Sequence, residues 1–150
     1  MKKLIVYVSY HHNNTEKIAK VFASTLKADM KNLEQIDSNG LSAYDLIGFG
    51  SGIYFFKHHK SLLEFANRLP QSKNKKAFIF STSGVKRVAF LKRHKPLKKI
   101  LQSKGFEIIG EFNCAGFDNF GLTKIIGGIN KGRPNDEDLK KAEAFAKNLK

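Results

Sequence analysis

The first residues able to do chemistry form the stretch SYHHNNT, residues 9–15, in which hydroxyl, imidazole and amide side chains follow one another. The stretch comes directly after the apolar run 4–8 and shortly before apolar residues at helical spacing, so it predicts a turn between a buried strand and a helix. A helix N-terminus attracts anions through its unpaired N–H groups and its dipole. We therefore expect this turn to bind a phosphate monoester, while Asn14 or Thr15 would also serve as a helix cap. The candidate ligands are Ser9, Tyr10, His11, His12, Asn13, Asn14 and Thr15.

Small polar residues follow two further apolar runs in the same way. Ser51 and Gly52 end the run that begins at Asp45, and residues 81–84 end the run that begins at Lys76. The carboxyl ends of parallel strands lie at one edge of a sheet, where ligands bind in open α/β folds. A helix cap does not account for this repetition, so the three loops predict one shared binding site.

The residues present exclude three common kinds of phosphate site. A dinucleotide fingerprint needs GxGxxG after the first strand, and residues 9–15 contain no glycine. A phosphoacceptor domain needs aspartates after strands 1 and 3, where this chain has Ser9 and Ser51. A small tyrosine phosphatase needs Cys and Arg in one loop, and the single cysteine, Cys114, lies far downstream without such an arginine. What remains is a loop of neutral donors.

Predicted strands alternate with predicted helices from end to end. The predicted strands are residues 3–9, 29–32, 45–52, 76–84 and 106–114. The first predicted helix begins at Thr15 and the second covers residues 61–68. The third begins at residues 93–95 and ends at Lys104, and the fourth runs from Asn135 or Asp136 to Leu149. Pro96 sets the late start of the third helix, because proline does not fit deep inside a helix. This alternation predicts one α/β domain, residues 1–150, with a five-stranded parallel sheet in the order 2-1-3-4-5.

The composition is that of a globular domain. Hydrophobic residues make up 41% of the 150 residues, enough to form a core. The longest uncharged run, residues 46–56, is too short to span a bilayer. No signal-peptide pattern follows the opening MKK, and one cysteine cannot form a disulfide framework. We expect a cytoplasmic protein.

The charge is strongly basic and unevenly placed. Lys and Arg total 27 against 13 Asp and Glu, a formal net charge of +14. No acidic residue occurs between Glu64 and Glu107, and the basic residues of this segment are Arg68, Lys73, Lys75, Lys76, Lys86, Arg87, Lys92, Arg93, Lys95, Lys98, Lys99 and Lys104. The basic segment, residues 68–104, would attract an acidic protein surface or a polyanion. The alternative is that it is simply a solvent-exposed face with no partner. Since no nucleic-acid-binding motif is present, a nucleic-acid-binding module is only the second alternative function.

In its three loops the sequence resembles a flavodoxin. SYHHNNT (residues 9–15) is similar to the loop with which that family holds the phosphate of FMN, and FGSGIYFF (49–56) and FSTSGV (80–85) lie where its two flavin-ring loops lie. The resemblance covers essentially the whole chain and implies a flavodoxin-like three-layer sandwich that binds FMN and carries electrons. It implies no catalytic acid or base and no metal. The partner expected from the basic segment is an acidic redox protein, such as a ferredoxin, or an oxidoreductase.

A flavin ring needs a flat apolar slot that the backbone can approach closely. Tyr54 is the first candidate for stacking, because it directly follows the glycines of strand 3 and the chain has no tryptophan. The neighbouring phenylalanines are candidates for the ring slot and equally for the core. The ring-binding residues implied are Ser51, Gly52, Ile53, Tyr54, Phe55, Lys57, Ser81, Thr82, Ser83, Gly84, Val85, Gly116, Phe117 and Asp118.

The segment KHHK, residues 57–60, has two interpretations. A metal site would need Cys or carboxylate ligands nearby, which are missing, so we expect an exposed loop that leads into a helix. The longer stretch GIYFFKHHKSL, residues 52–62, also resembles the histidine-bearing loop of the small menaquinone-dependent protoporphyrinogen oxidases, which have the flavodoxin fold. That resemblance implies the main alternative function, an oxidoreductase with its own substrate. A substrate cavity beside the ring would favour the enzyme, and a flush aromatic cover would favour the electron carrier.

Overall fold

The structure is a computed structural model and describes residues 1–9, 14–54, 57–83, 90–115 and 132–149. Its strands are β1 (Lys3–Tyr7), β2 (Asp29–Asn32), β3 (Leu46–Tyr54), β4 (Lys57–His58), β5 (Lys75–Ser83) and β6 (Phe106–Ala115). Its helices are α1 (Asn14–Leu26), α2 (Lys60–Asn67), α3 (Phe90–Ser103) and α4 (Asp136–Lys147), with two short 3-10 helices at Leu33–Gln35 and Ser38–Leu41. Within these ranges, every helix is too short or too polar to cross a membrane.

Five of the strands form a parallel sheet in the order β2-β1-β3-β5-β6. The predicted order 2-1-3-4-5 is confirmed, with β5 and β6 as the fourth and fifth predicted strands. The additional strand, β4, was not predicted and pairs antiparallel with the end of β3, placing Ile53 opposite His58 and Tyr54 opposite Lys57. This pairing extends β3 two residues past its predicted end.

Helices cover both faces of the sheet, as the strand sequences require. Along β1, Leu4 and Val6 pack into a core that includes Leu62 of α2 and Leu97 of α3. The intervening residue Ile5 packs into a second core with α1 and α4. Because alternate strand residues point to opposite faces, a strand buried on both faces reads as a continuous apolar run.

Glycines in β3 make room for aromatic rings of β5. The register places Gly48 beside Phe78 and Gly50 beside Phe80. A Cβ atom at Gly48 would lie 2.4 Å from the Phe78 ring, and one at Gly50 would lie 2.2 Å from the Phe80 ring. Phe22 of α1 packs edge-on against both rings, with centroids 5.2 and 5.0 Å away. This cluster therefore fixes α1 against the sheet, and with it the turn that leads into α1.

Two sequence predictions about helices and loops were wrong. Helix α3 begins at Phe90, three to five residues earlier than predicted, and contains Pro96. The missing N–H of Pro96 costs one backbone hydrogen bond, but burial of His94, Leu97 and Leu101 on the same face holds the helix together. The segment 57–60 is not an exposed loop, because His58 lies in β4 with only 1% of its surface exposed. The last helix begins as predicted, at Asp136 with Asn135 as its N-cap, and ends at Lys147 rather than at Leu149.

Replacing Gly50 with alanine should destabilise the protein, because the new Cβ would collide with the fixed Phe80 ring. Overpacking of this kind costs roughly 1–3 kcal/mol in the free energy of unfolding. The matched control is Gly40→Ala, where the nearest atom is 3.2 Å away on the flexible side chain of Ile36. Urea unfolding of both variants measures the difference, and equal midpoints would show that the Gly50–Phe80 contact does not constrain the sheet.

Candidate functional site

The carboxyl ends of β1, β3 and β5 lie side by side, as the sequence predicts. Tyr7 at the end of β1 is beside Gly50, and Gly52 is beside Thr82. The residues that follow these ends therefore share one edge of the sheet, which we call the three-loop edge. It comprises Ser9, Asn14, Thr15, Ser51, Gly52, Ile53, Tyr54, Ser81, Thr82 and Ser83. The predicted ligands Tyr10, His11, His12, Asn13, Phe55, Gly84, Val85, Gly116, Phe117 and Asp118 lie outside the described residues and stay predictions.

A direct hydrogen bond joins the first and third of these loops. The hydroxyl oxygens of Thr15 and Thr82 are 2.9 Å apart, and both residues are buried. Thr82 reaches α1 because its side chain points to the same face of the sheet as Phe78 and Phe80. Two hydroxyls bring two protons and only one lies between them, so the pair retains a proton for a third group.

The start of α1 is capped differently from the prediction. Asn14 and Thr15 are the first two residues of the helix rather than its cap. The hydroxyl of Ser9 accepts the backbone N–H of Glu16 at 3.2 Å, which is the interaction that an N-cap side chain makes. The Ser9 side chain therefore lies over the first turn of the helix.

One carboxylate, that of Glu16, lies in the first turn of α1. The Tyr7 hydroxyl lies 3.5 Å from it, and Lys20 is 4.0 Å away one turn along the helix. Burial, followed by the charge of Glu16, raises the pKa of the Tyr7 hydroxyl. Tyr7 is therefore a neutral hydrogen-bond donor at pH 7, and it holds the Glu16 carboxylate against the end of β1.

Strand β4 and the start of α2 support the loop after β3. The Ser51 hydroxyl, which is fully buried, accepts the backbone N–H of His59 at 3.0 Å and donates to the Gly52 carbonyl at 2.7 Å. His59 is the N-cap of α2, and its Nδ1 accepts the backbone N–H of Ser61 at 3.1 Å. The Tyr54 ring packs edge-on against the His59 ring, with centroids 5.1 Å apart. Tyr54 is thus placed by its neighbours at the three-loop edge, and Lys57 is exposed beside it on β4.

A buried group of polar side chains lies under the end of β5 and was not predicted. We call it the polar cluster; its members are His58, Ser81, His94, Lys98, Glu111 and Asn113. Ser81 points to the opposite face from Thr82 and meets His94 of α3, with 2.6 Å between Oγ and Nε2. His94 stands three residues before Leu97 and seven before Leu101, so helical spacing was the one sequence signal for its burial.

The hydrogen bonds of the polar cluster have a defined direction. Asn113 Nδ2 lies 3.4 Å from the Ser81 carbonyl and 2.7 Å from its Oγ, and a carbonyl only accepts, so the amide NH₂ faces Ser81. Ser81 Oγ accepts from Asn113. His94 Nδ1 lies 3.3 Å from the Glu111 carboxylate, which favours the ring proton on Nδ1, so we assign Ser81 as the donor to His94 Nε2. Lys98 Nζ donates to the other Glu111 oxygen at 3.2 Å.

Both buried histidines are neutral at pH 7. Burial lowers the pKa of His94 to about 4, with a further contribution from the charge of Lys98. Burial and then the nearby His94 ring lower the pKa of His58 to about 3, and its Nε2–H donates to the Phe80 carbonyl at 3.1 Å. The Glu111 carboxylate acts on His94 in the opposite direction, because a negative charge at 3.3 Å stabilises an imidazolium.

A cleft of about 580 Å³ adjoins the end of β1, where Val8 precedes Ser9 of the three-loop edge. It is bounded by residues 32–38 on one side and by Ser61, Glu64 and Arg68 of α2 on the other, with Val8 at its end. No residue of the loops 51–54 or 81–83 lines it. In the described part of the chain, no three His, Cys, Asp or Glu side chains gather in a way that could hold a metal ion.

Comparison with known proteins identifies the relatives of this chain. A family model described as "Flavodoxin domain" matches residues 4–114. The uncharacterised protein MJ0298 of Methanocaldococcus jannaschii is 54% identical over 151 residues, covering 99% of this chain and 98% of that protein. Among solved structures, flavodoxin 2 of Bacillus cereus superimposes with a TM-score of 0.72 at 22% identity, covering 97% of this chain and 95% of that one. The flavodoxin of Streptococcus pneumoniae TIGR4 superimposes with a TM-score of 0.73 at 17% identity, covering 98% of this chain and 96% of that one.

The free energy of unfolding should fall as the pH drops below ~6.5, the ordinary histidine pKa. The unfolded chain binds protons at His58 and His94 below this pH, whereas the folded chain does not until about pH 3 and 4. Stability is therefore lost progressively as the pH falls from ~6.5 to 4. Each histidine contributes at most about 1.4 kcal/mol for each unit by which its pKa is lowered. Neither histidine affects the stability above pH ~6.5.

Urea unfolding of wild type, His94→Gln and the exposed-site control Lys95→Gln at several pH values tests this expectation. His94→Gln should show a smaller loss on acidification than wild type, and Lys95→Gln should behave like wild type. An identical pH dependence in all three proteins would mean that His94 is not held neutral by the fold.

Proposed function

Because the chain belongs to the flavodoxin family, we propose that it binds FMN at the three-loop edge and carries electrons between redox proteins. The observation that carries this proposal is the Thr15–Thr82 hydrogen bond, which joins the expected phosphate loop to an expected ring loop. The cytoplasm would be its compartment, since the single cysteine gives no internal disulfide. When bound, FMN supplies the electron chemistry, and the protein residues hold it, orient it and exclude water.

The donor set at the start of α1 suits a phosphate monoester. Thr15 and Thr82 share one hydroxyl proton and retain another, and Asn14 is the first residue of α1. The helix N-terminus adds its dipole to these neutral donors. Glu16, the only acidic residue in the first turn of α1, lies beside Tyr7 and Lys20, which offset its charge. The phosphate would therefore be bound by hydroxyl and amide groups rather than by lysine or arginine.

Support for the ring comes from the loops after β3 and β5. Ser51 and His59 fix the backbone of the first loop and the position of Tyr54. Ser81 and Ser83 are held by His94 and by Arg93, whose guanidinium lies 3.3 Å from the Ser83 hydroxyl. We infer that Ser51 and Ser81 position these loops, while Tyr54 and the backbone at Gly52 and Thr82 contact the ring.

An enzyme of the protoporphyrinogen oxidase type is the main alternative to an electron carrier. An enzyme would need a substrate cavity next to the ring. The cleft found among the described residues lies beside residues 32–38 and is not bordered by either ring loop. No observation in the described residues favours a separate substrate or a nucleic acid.

Lys86 and Arg87 of the basic segment lie outside the described residues, and the described part of the segment is divided between the two ends of the sheet strands. Lys75 and Lys76 begin β5 and thus lie at the opposite edge of the sheet, where Lys75 is bound by the carbonyls of Ser42 and Tyr44. Helix α3 runs back from the three-loop edge, so its first turns lie nearest to the site. The exposed residues of that part are Leu91, Lys92 and Lys95.

We propose that the first turns of α3 form the docking surface for an acidic redox protein, such as a ferredoxin. Lys92, Lys95 and Lys99 are spaced so that they share one exposed helix face. Leu91, 58% exposed, is the one large aliphatic side chain on this surface and would form its apolar centre. Lysines around an apolar contact steer an acidic partner and leave binding transient.

The first test is the colour of the purified protein. We expect a yellow protein whose flavin, released on denaturation, is FMN rather than FAD, because the β1 loop offers donors for one terminal phosphate and lacks the dinucleotide glycines. Visible absorption and chromatography of the released flavin measure this. A colourless protein that also fails to take up added FMN would refute the proposal.

The second test concerns the neutral donors at the start of α1. Thr15→Ala should weaken FMN binding by roughly 1.5–3 kcal/mol, the value of a hydrogen bond to a charged group. Thr15→Ser should retain binding, and Thr25→Ala, near the other end of the same helix, is the matched control. Riboflavin has no phosphate, so its affinity should change little in any variant. Equal FMN affinities for Thr15→Ala and wild type would place the phosphate elsewhere.

The third test concerns docking. The double variant Lys92→Glu/Lys95→Glu should slow electron transfer from a reduced acidic ferredoxin by roughly tenfold or more at low salt, because electrostatic steering contributes 10- to 1,000-fold to such rates. The difference should shrink at high salt, where the Debye length is ~3 Å. The matched control is Lys140→Glu/Lys141→Glu on α4, across the sheet. Equal slowing by both double variants would show a dependence on net charge and not on a docking surface.

A further inference from the structure

The polar cluster has the arrangement of a serine–histidine–carboxylate relay. Ser81 Oγ lies 2.6 Å from His94 Nε2, and His94 Nδ1 lies 3.3 Å from Glu111 Oε1. A hydrolase would use this arrangement to activate the serine. Here Ser81 is fully buried, and its oxygen already accepts a hydrogen bond from Asn113 at 2.7 Å. No substrate carbonyl can reach it, so the relay serves proton transfer within the protein and not nucleophilic attack.

We propose that His94 takes up one proton when an electron arrives at the three-loop edge and releases it when the electron leaves. This inference rests on the proposed function, because the electron comes from an external redox protein to the bound flavin. The proton comes from water and adds to Nε2 of His94. One negative and one positive charge enter together, and no bond other than this N–H is formed or broken in the protein.

The position of His94 couples it to the site. Its partner Ser81 lies immediately before Thr82 and Ser83 in β5, so the imidazole sits under a predicted ring loop. Charges interact strongly in an interior from which water is excluded. A negative charge at the three-loop edge therefore stabilises the imidazolium, and the protonated ring in turn stabilises the negative charge.

The cluster contains acceptors for the added proton. In neutral His94, Nδ1 carries the proton that faces Glu111, and Nε2 accepts from Ser81. After protonation, Nε2–H donates to Ser81 Oγ, and the Ser81 hydroxyl changes from donor to acceptor. The side chain of Glu111 is 11% exposed, and its carboxylate lies beside Nδ1, which keeps its proton in both states.

Opposite charges flank His94, while burial favours its neutral form and lowers its pKa to about 4. The negative charge of Glu111 on β6 favours protonation of His94, whereas the positive charge of Lys98 on α3 opposes it. His58 from β4, its ring centroid 4.9 Å away, stays neutral, and Ser81 and Asn113 carry no charge. One further negative charge nearby can shift this balance.

The experiment is nitrogen NMR of protein labelled with ¹⁵N-histidine and loaded with FMN, at about pH 6, just below the ordinary histidine pKa of ~6.5. The His94 signals are assigned by their loss in His94→Gln. We expect the neutral Nδ1–H tautomer in oxidised protein and two protonated nitrogens after full reduction. His58, which also lies in the cluster, should remain neutral in both states and is the internal control.

A second measurement covers the case in which His94→Gln does not fold. Proton uptake on reduction, followed with a pH indicator, should fall by up to one proton per molecule in Glu111→Gln relative to wild type. A His94 ring that stays neutral in reduced, FMN-loaded wild type would overturn the inference while leaving the proposed function intact. Failure of wild type to take up FMN would overturn both.

Discussion

The register between β3 and β5 is the constraint on which the rest of the structure depends. It pairs Gly48 with Phe78 and Gly50 with Phe80, and the rings occupy the space that Cβ atoms would need. A shift by one residue would reverse the faces of every side chain in the strand and bury Ser81 and Thr82 against the wrong helices. The same register brings the ends of β1, β3 and β5 to one edge. Both the packing of α1 and the candidate site follow from it.

Strand alternation gives the end of β5 two different roles. Thr82 points towards α1 and contacts Thr15, in the place where we propose that the phosphate is bound. Ser81 points towards α3 and contacts His94, in the polar cluster. One strand end therefore connects the proposed flavin site with a buried group of ionisable side chains. This arrangement is the basis of the proposed coupling between an electron at the site and a proton on His94.

The sequence was sufficient for those features that local patterns encode. Apolar runs of β1, β3 and β5 and the small polar residues after them predicted the sheet order and the three-loop edge. The start of the last helix at Asn135 or Asp136 was predicted from the acidic residues that follow it. The flavodoxin resemblance was confirmed by the family match over residues 4–114.

Features that depend on distant contacts were not predictable. His58 reads as part of a charged surface loop, but its pairing with Ile53 and its contacts with His94 and the Phe80 carbonyl bury it. Helix α3 continues through Pro96 because long-range burial offsets the lost hydrogen bond, which local propensity does not show. Glu111 and Asn113 look like ordinary strand residues until β6 is placed beside β5. The polar cluster joins residues from four elements, so no single sequence motif predicts it.

Titration of the ¹⁵N-labelled protein with FMN, followed through its backbone amide signals, tests the central claim most directly. The account predicts that the largest shift changes fall on Ser9, on Asn14 to Glu16, on Gly52 to Tyr54 and on Thr82 and Ser83. These residues come from three separate segments and have in common only the edge of the sheet. Changes centred on residues 32–38 and on Glu64 and Arg68, which line the cleft beside α2, would contradict the account.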